Sequence, residues 1–97
     1  MAKSIMPFNI VNRCYICRAE CVTDTHHVFQ GSNRQKADDL GLTVELCRVC
    51  HKRAHEHPQE FEQRYHLKSN AQRAAMLKHN LSIDEWRKMF RKDYRHD

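Results

Sequence analysis

Leu46-Cys47-Arg48-Val49-Cys50-His51-Lys52-Arg53-Ala54-His55 places two thiols and two imidazoles within ten residues, at separations that match the turns of a helix. Two cysteines separated by two residues can grip one zinc ion. His51 and His55 stand four apart, so on a helix their rings leave from one face and can share a second metal. A CxxC pair running into an HxxxH pair therefore predicts two adjacent metal sites. The remaining ligands lie upstream. Cys14-Tyr15-Ile16-Cys17 supplies a second thiol pair, and the dyad His26-His27 supplies two more imidazoles.

At 97 residues the chain has room for one domain, 1–97, and a chain this short buries a modest fraction of its surface. A metal staple is expected to supply much of its stability. Seventeen Lys+Arg against twelve Asp+Glu give a net charge of +5, which favours a polyanionic partner and, among those, nucleic acid. The excess sits in residues 51–97, with eleven Lys/Arg and seven Asp/Glu. The five cysteines are odd in number, and Met1-Ala2-Lys3-Ser4 carries no apolar signal core, so paired knuckles read as zinc ligands in a reducing cytoplasm and not as disulfides. No apolar run approaches membrane-spanning length. A soluble cytoplasmic protein is the expectation.

Along the chain, residues 1–13 read as extended cover for a core, followed by the Cys14/Cys17 knuckle. Cys21 falls outside both pairs and reads as a small buried hydrophobe or free thiol. Residues 22–29 mix β-branched and aromatic side chains and predict a strand or hairpin arm. Side chains alternate across a strand, so His26 and His27 face opposite ways: one can enter a metal's shell while the other stays free to act as a base. After a polar turn at 30–34 and a helical turn or loop at 35–39, residues 42–46 predict a second strand pairing with the first. Cys47 opens the ligand helix, which ends near His57 because Pro58 disfavours helical geometry in the residue before it. Strand, strand and helix form a ββα unit over a core of 14–57.

The segment 58–95 reads as a helical extension. Pro58 suits a first helical turn, with Phe61 and Tyr65 facing the core. Ser69 or Asn70 is expected to cap a second helix bearing Ala71, Ala74 and Ala75. Ser82-Ile83-Asp84-Glu85 has the capping-box pattern, and Trp86, Met89, Phe90 and Tyr94 form one apolar stripe on the last helix. The fold class is therefore α+β, a small zinc-stapled core followed by C-terminal helices. Lys52, Arg53, Arg87 and Arg91 are candidate DNA contacts, weighed against the commoner role of such charges as a solvated face.

The pattern Cys14-x2-Cys17, His26-His27, Cys47-x2-Cys50-His51-x3-His55 resembles the HNH (ββα-metal, treble-clef) endonucleases, especially small phage and prophage members with a four-cysteine zinc site. The resemblance implies a DNA endonuclease or nickase in a bacterial host cell. By position, His27 would be the general base that activates water, and His26, His51 and His55 would hold a catalytic divalent cation, magnesium or manganese. Cys14, Cys17, Cys47 and Cys50 would hold structural zinc. The chemistry is consistent: phosphodiester hydrolysis needs a base titrating near neutrality and a cation for the developing phosphate charge. Many relatives carry an asparagine five residues before the third zinc cysteine to orient the base, a position held here by Leu42. Asn33, the nearest asparagine after the dyad, is one candidate for that task; Asp38, Asp39 or a backbone carbonyl are the others. The competing reading is a non-catalytic zinc-stapled nucleic-acid-binding module. An iron–sulfur protein would leave the metal-facing histidines unexplained.

Overall fold

The computed structural model describes residues 3–95. Two short strands, β1 (Asp24–His27) and β2 (Thr43–Leu46), pair antiparallel with Asp24 opposite Leu46 and His26 opposite Val44. Between them lie a 3-10 turn at Gly31–Asn33 and helix α1 (Arg34–Leu40). Four helices follow: α2 (Arg48–Glu56), α3 (Pro58–Tyr65), α4 (Leu67–Lys78) and α5 (Ile83–Phe90). The result is a small α+β fold with a two-stranded sheet and five α-helices among the described residues.

Period-2 alternation decides the faces of the sheet. His26, Val44 and Leu46 are buried on one side, whereas Thr25 turns to the other and its hydroxyl donates to the Glu45 carboxylate at 3.0 Å. Thr23 donates to the same carboxylate at 2.6 Å. Beyond His27 the chain stops being a strand but continues inward. Val28 and Phe29 are both buried, and Phe29 meets Trp86, Phe90 and Tyr94 at ring-centroid separations of 5.9, 5.1 and 5.1 Å. Offset and edge-on aromatic packing of this kind ties the histidine-bearing strand to the C-terminal helices.

Helix α1 is a full seven-residue helix where a turn or loop was expected. Its end explains its persistence. Gly41 adopts a left-handed conformation (φ 81°), Leu42 N–H bonds the Ala37 carbonyl at 2.9 Å, and Gly41 N–H bonds the Asp38 carbonyl at 3.1 Å. That is a Schellman closure, for which glycine carries no Cβ penalty. A Cβ at Gly41 would also collide with the Lys3 carbonyl oxygen. The lead-in is anchored here, with Ile5 N–H on the Gly41 carbonyl at 2.9 Å.

Two expectations for the C-terminal half are corrected. Helix α4 starts at Leu67 instead of after Ser69 or Asn70, because Glu62 on α3 reaches across and accepts from the Lys68 N–H at 2.9 and 3.1 Å. A neighbour's carboxylate does the capping that a local serine or asparagine was expected to do. Helix α5 keeps its capping box, Ser82 with Glu85, but ends at Phe90, where Arg91 turns left-handed. Tyr94 thus reaches the apolar cluster from beyond the helix. The Trp86 indole N–H donates to the Lys92 carbonyl at 2.9 Å and folds this tail back.

Candidate metal centres and a candidate base

Each CxxC pair is built by its backbone. In the first, Cys14 N–H bonds the Ala19 carbonyl and Arg18 N–H bonds the Cys14 carbonyl, both at 3.0 Å, so residues 14–19 form a tight turn. In the second, Cys47 is the N-cap of α2. The two share one device: Cys17 N–H points at Cys14 Sγ and Cys50 N–H points at Cys47 Sγ, each at 3.5 Å. A 2.7 Å bond from Tyr15 N–H to the Glu45 carbonyl docks the first turn against β2, just before Cys47. The four sulfurs lie within 4.8 Å of one another. Cys17 and Cys47 stand 3.9 Å apart, close to the spacing of about 3.8 Å between sulfurs at a tetrahedral zinc with 2.3 Å bonds.

The electrostatics of the sulfurs ask for a cation. Burial alone would raise the Cys14 thiol, but backbone N–H groups of Cys47, Cys17 and Ile16 outweigh it and bring its pKa down to about 6. Cys50 goes the other way. Burial pushes its thiol up, and the facing Cys47 and Cys14 sulfurs push it further. Four thiolates cannot coexist at this range near neutral pH without a positive charge among them. The donor set and spacing fit zinc. Cys21 stays outside the cluster, half-buried, with its sulfur near the Ala19 carbonyl at 3.7 Å.

The second cluster joins β1 to the later turns of α2. His26, His51 and His55 each present a ring nitrogen within 4.8 Å of the others. His51 and His55 face each other Nε2 to Nε2 at 3.0 Å, and the Asp24 carboxylate stands 3.4 Å from His51 Nδ1. A carboxylate on Nδ1 fixes the tautomer that leaves Nε2 with its lone pair free for a metal. His26 is 7 % exposed, and its Nδ1 is a buried side-chain atom with no hydrogen-bond partner. Burial first, then the neighbouring His51 and His55, lower its pKa to about 4, so the ring is neutral at physiological pH. An orphaned neutral imidazole opposite two convergent ones fits a cation position.

His27 points to the opposite side of β1. Its Nδ1 lies 2.8 Å from Asp38 Oδ1, and its Nε2 lies 3.0 Å from a terminal nitrogen of Arg34. A carboxylate only accepts and a guanidinium only donates, so the neighbours fix the tautomer: hydrogen on Nδ1, lone pair on Nε2. Asp38 also faces Arg34 Nε at 3.8 Å. The candidate Asn33 does not reach His27. Asn33 sits in the 3-10 turn, whereas α1 brings Asp38 back to the strand. Leu42, at the position where relatives carry the asparagine, is wholly buried in the core.

A family model described as "Protein of unknown function (DUF968)" matches residues 2–83. The chain belongs to that family. No curated protein and no solved structure matches it. In this DUF968 chain the matched region spans every cysteine and histidine of the two clusters as well as His27, Arg34 and Asp38. A cleft of about 350 Å³ adjoins the histidine cluster, with His26, His55, Val28, Phe61 and Lys68 among its lining residues.

The candidate DNA contacts of the DUF968 chain fall into two groups. Lys52 and Arg53 are exposed on α2, the helix that carries His51 and His55; Arg87 and Arg91 are exposed at α5, which packs against α4. Among the described residues no helix is long and apolar enough to cross a membrane. Arg34 and its contact with His27 escaped the sequence reading. The polar run 30–34 carries no signal that one member returns to the strand seven residues earlier.

Proposed function

We propose that the chain is a metal-dependent DNA endonuclease or nickase of the HNH (ββα-metal) type. In this reading the four cysteines hold a structural zinc in a treble-clef-like arrangement. His26, His51 and His55 hold a catalytic divalent cation; magnesium and manganese are the expected ions, and three imidazoles also suit zinc or nickel. A bound cation would supply Lewis acidity for the charge that develops on the phosphate. The chain's own residues do the rest. Asp38 holds His27 with its lone pair on Nε2; His27 Nε2 takes a proton from water as the water oxygen forms its bond to phosphorus and the bond from phosphorus to a sugar oxygen breaks. Asp24 keeps His51 in the tautomer that presents Nε2.

The observation that carries this reading is the division of labour within the dyad. Adjacent histidines on one strand lie in different settings, His26 buried and unpartnered beside two imidazoles, His27 oriented by a carboxylate. A scaffold built only to hold zinc gains nothing from either arrangement. The alternative, a non-catalytic zinc-stapled nucleic-acid-binding module, draws support from one contact: Arg34 occupies the nitrogen that a base needs free. Incubation of the zinc-loaded protein with supercoiled plasmid decides between them. The endonuclease reading expects open-circular or linear product with magnesium or manganese and none with chelator. A folded, DNA-bound protein that leaves supercoiled, linear, branched and single-stranded DNA intact with every divalent ion would decide for the module.

A further inference from the structure

We propose that Arg34 is a cover on His27 that a phosphodiester of the DNA strand removes, so that the base is exposed only when substrate is seated. This inference rests on the endonuclease reading and adds to it how the site responds to its substrate. Three features of the contact carry it. The guanidinium donates to His27 Nε2 at 3.0 Å, the one ring nitrogen left with a lone pair once Asp38 has taken the Nδ1 hydrogen at 2.8 Å. While that bond stands, no water can give its proton to His27.

The cover is also built to move. The Arg34 side chain is 53 % exposed, whereas His27 and Asp38 are 19 % and 13 % exposed, so the anchored pair stays fixed while the guanidinium faces solvent. Arg34 opens α1 at its first helical position and Asp38 sits one turn later, which leaves the carboxylate as a pivot for Nε at 3.8 Å while the terminal nitrogens swing.

The bond that holds the cover is the weaker of the two available to it. The imidazole is a neutral acceptor, and a charge-assisted bond from arginine to a phosphate oxygen is roughly twice as strong as a bond to a neutral partner and is often bidentate. A phosphodiester arriving near His27 therefore competes successfully for the guanidinium. Arg34 then holds the phosphate beside the freed Nε2, and one exchange of partners both binds the substrate and unmasks the base. The same contact that looks inhibitory in the free protein becomes a substrate contact in the complex.

Nitrogen NMR of the zinc-loaded full chain, with no other divalent ion present, tests this without any cleavage. A long-range proton–nitrogen correlation spectrum should show His27 with hydrogen on Nδ1, and its Nε2 resonance should differ between wild type and Arg34→Ala. Titration with dimethyl phosphate, the bare phosphodiester group, should move the wild-type Nε2 resonance saturably to the Arg34→Ala position. Sodium chloride of equal ionic strength should not, and the variant should not respond. Arg34→Met, which keeps an unbranched side chain without charge or N–H donor, should behave as Arg34→Ala does. In plasmid nicking Arg34→Ala should raise KM about tenfold, as for one lost charge-assisted contact, with a smaller change in kcat.

An Nε2 resonance that ignores both substitutions, or one that dimethyl phosphate shifts equally in wild type and variant, would overturn the cover. So would an unchanged KM. A protein that shows the exchange but never cuts DNA would overturn the endonuclease reading alone, and one that cuts DNA with no exchange would overturn the cover alone.

Discussion

The two ligand clusters share helix α2, yet they differ in the properties that govern what a bound ion does. The cysteine cluster offers four donors, two of them buried, gathered by two matching turns and charged when deprotonated. The four thiolates would more than offset the charge of a divalent cation held there. The histidine cluster offers three neutral donors, ranging from buried His26 to exposed His55, with one carboxylate behind His51. Three imidazoles would leave the charge of a cation held there uncompensated. Closed tetrahedral sulfur sites hold folds together, whereas three-ligand sites with a vacant position act on substrates. Cys47 caps the helix and His55 lies two turns on, so one nine-residue helix contributes to both clusters.

The largest expected effect breaks the first half of that comparison. Cys47→Ala should lose the tightly held zinc, close to one per chain by metal analysis, and should unfold the protein at ambient temperature by circular dichroism. Structural zinc contributes about 10 kcal/mol or more of apparent binding free energy, comparable to the whole stability of a small domain. Unchanged zinc content and melting would remove the staple from the account. Removing a histidine ligand such as His55 should leave both nearly intact.

Next in size is the orientation of the base. Asp38→Ala should lower plasmid cleavage by about 10- to 100-fold, as for the loss of a carboxylate that orients a functional histidine, with zinc content unchanged. Asn33→Ala should change it by less than about twofold, because Asp38 and Arg34, not Asn33, face the ring nitrogens of His27. Equal defects in the two would mean that the loop, not α1, orients His27. Gly41→Ala should follow at about 1–3 kcal/mol in chemical denaturation, since a Cβ there meets both a left-handed backbone and the Lys3 carbonyl.

The smallest effect lies away from both clusters. The Ser82 N–H and hydroxyl hold the Glu85 carboxyl below its ordinary value, and Arg95 holds Asp93 well below its own. A depressed carboxyl pKa gives stability that is present above the unfolded value and lost as pH falls through the folded one. Thermal unfolding of Glu85→Gln and Asp93→Asn should therefore fall short of wild type above about pH 4 and approach it progressively as pH drops below that, Asp93→Asn only in strong acid. Curves that stay parallel across that range would assign the acid sensitivity to the metal clusters alone.

Spacing made the two clusters of potential metal ligands legible, and period-2 alternation placed His26 and His27 on opposite faces of a strand. What stayed hidden depends on contacts far apart in sequence. Asp38 reaches His27 only because Gly41 closes α1 in a left-handed turn, and a seven-residue helix has too few turns to announce a face. Helix α4 starts early because of a carboxylate on α3. Tyr94 joins the aromatic cluster through a chain reversal after Arg91, not through helical periodicity. Local pattern finds ligands and caps; it does not find the side chain that arrives from another element.

The central claim, that one histidine of the dyad serves a metal and its neighbour serves a proton, is tested most directly by comparing His51→Ala with His27→Ala in supercoiled plasmid nicking across a range of magnesium and manganese concentrations. His51→Ala should show a defect that shrinks as the metal is raised, the behaviour of a weakened binding site. His27→Ala should lose about 100-fold or more at every concentration, with zinc content and DNA affinity near wild type. A His27 defect that metal rescues, or a His27→Ala protein that cuts as well as wild type, would contradict it.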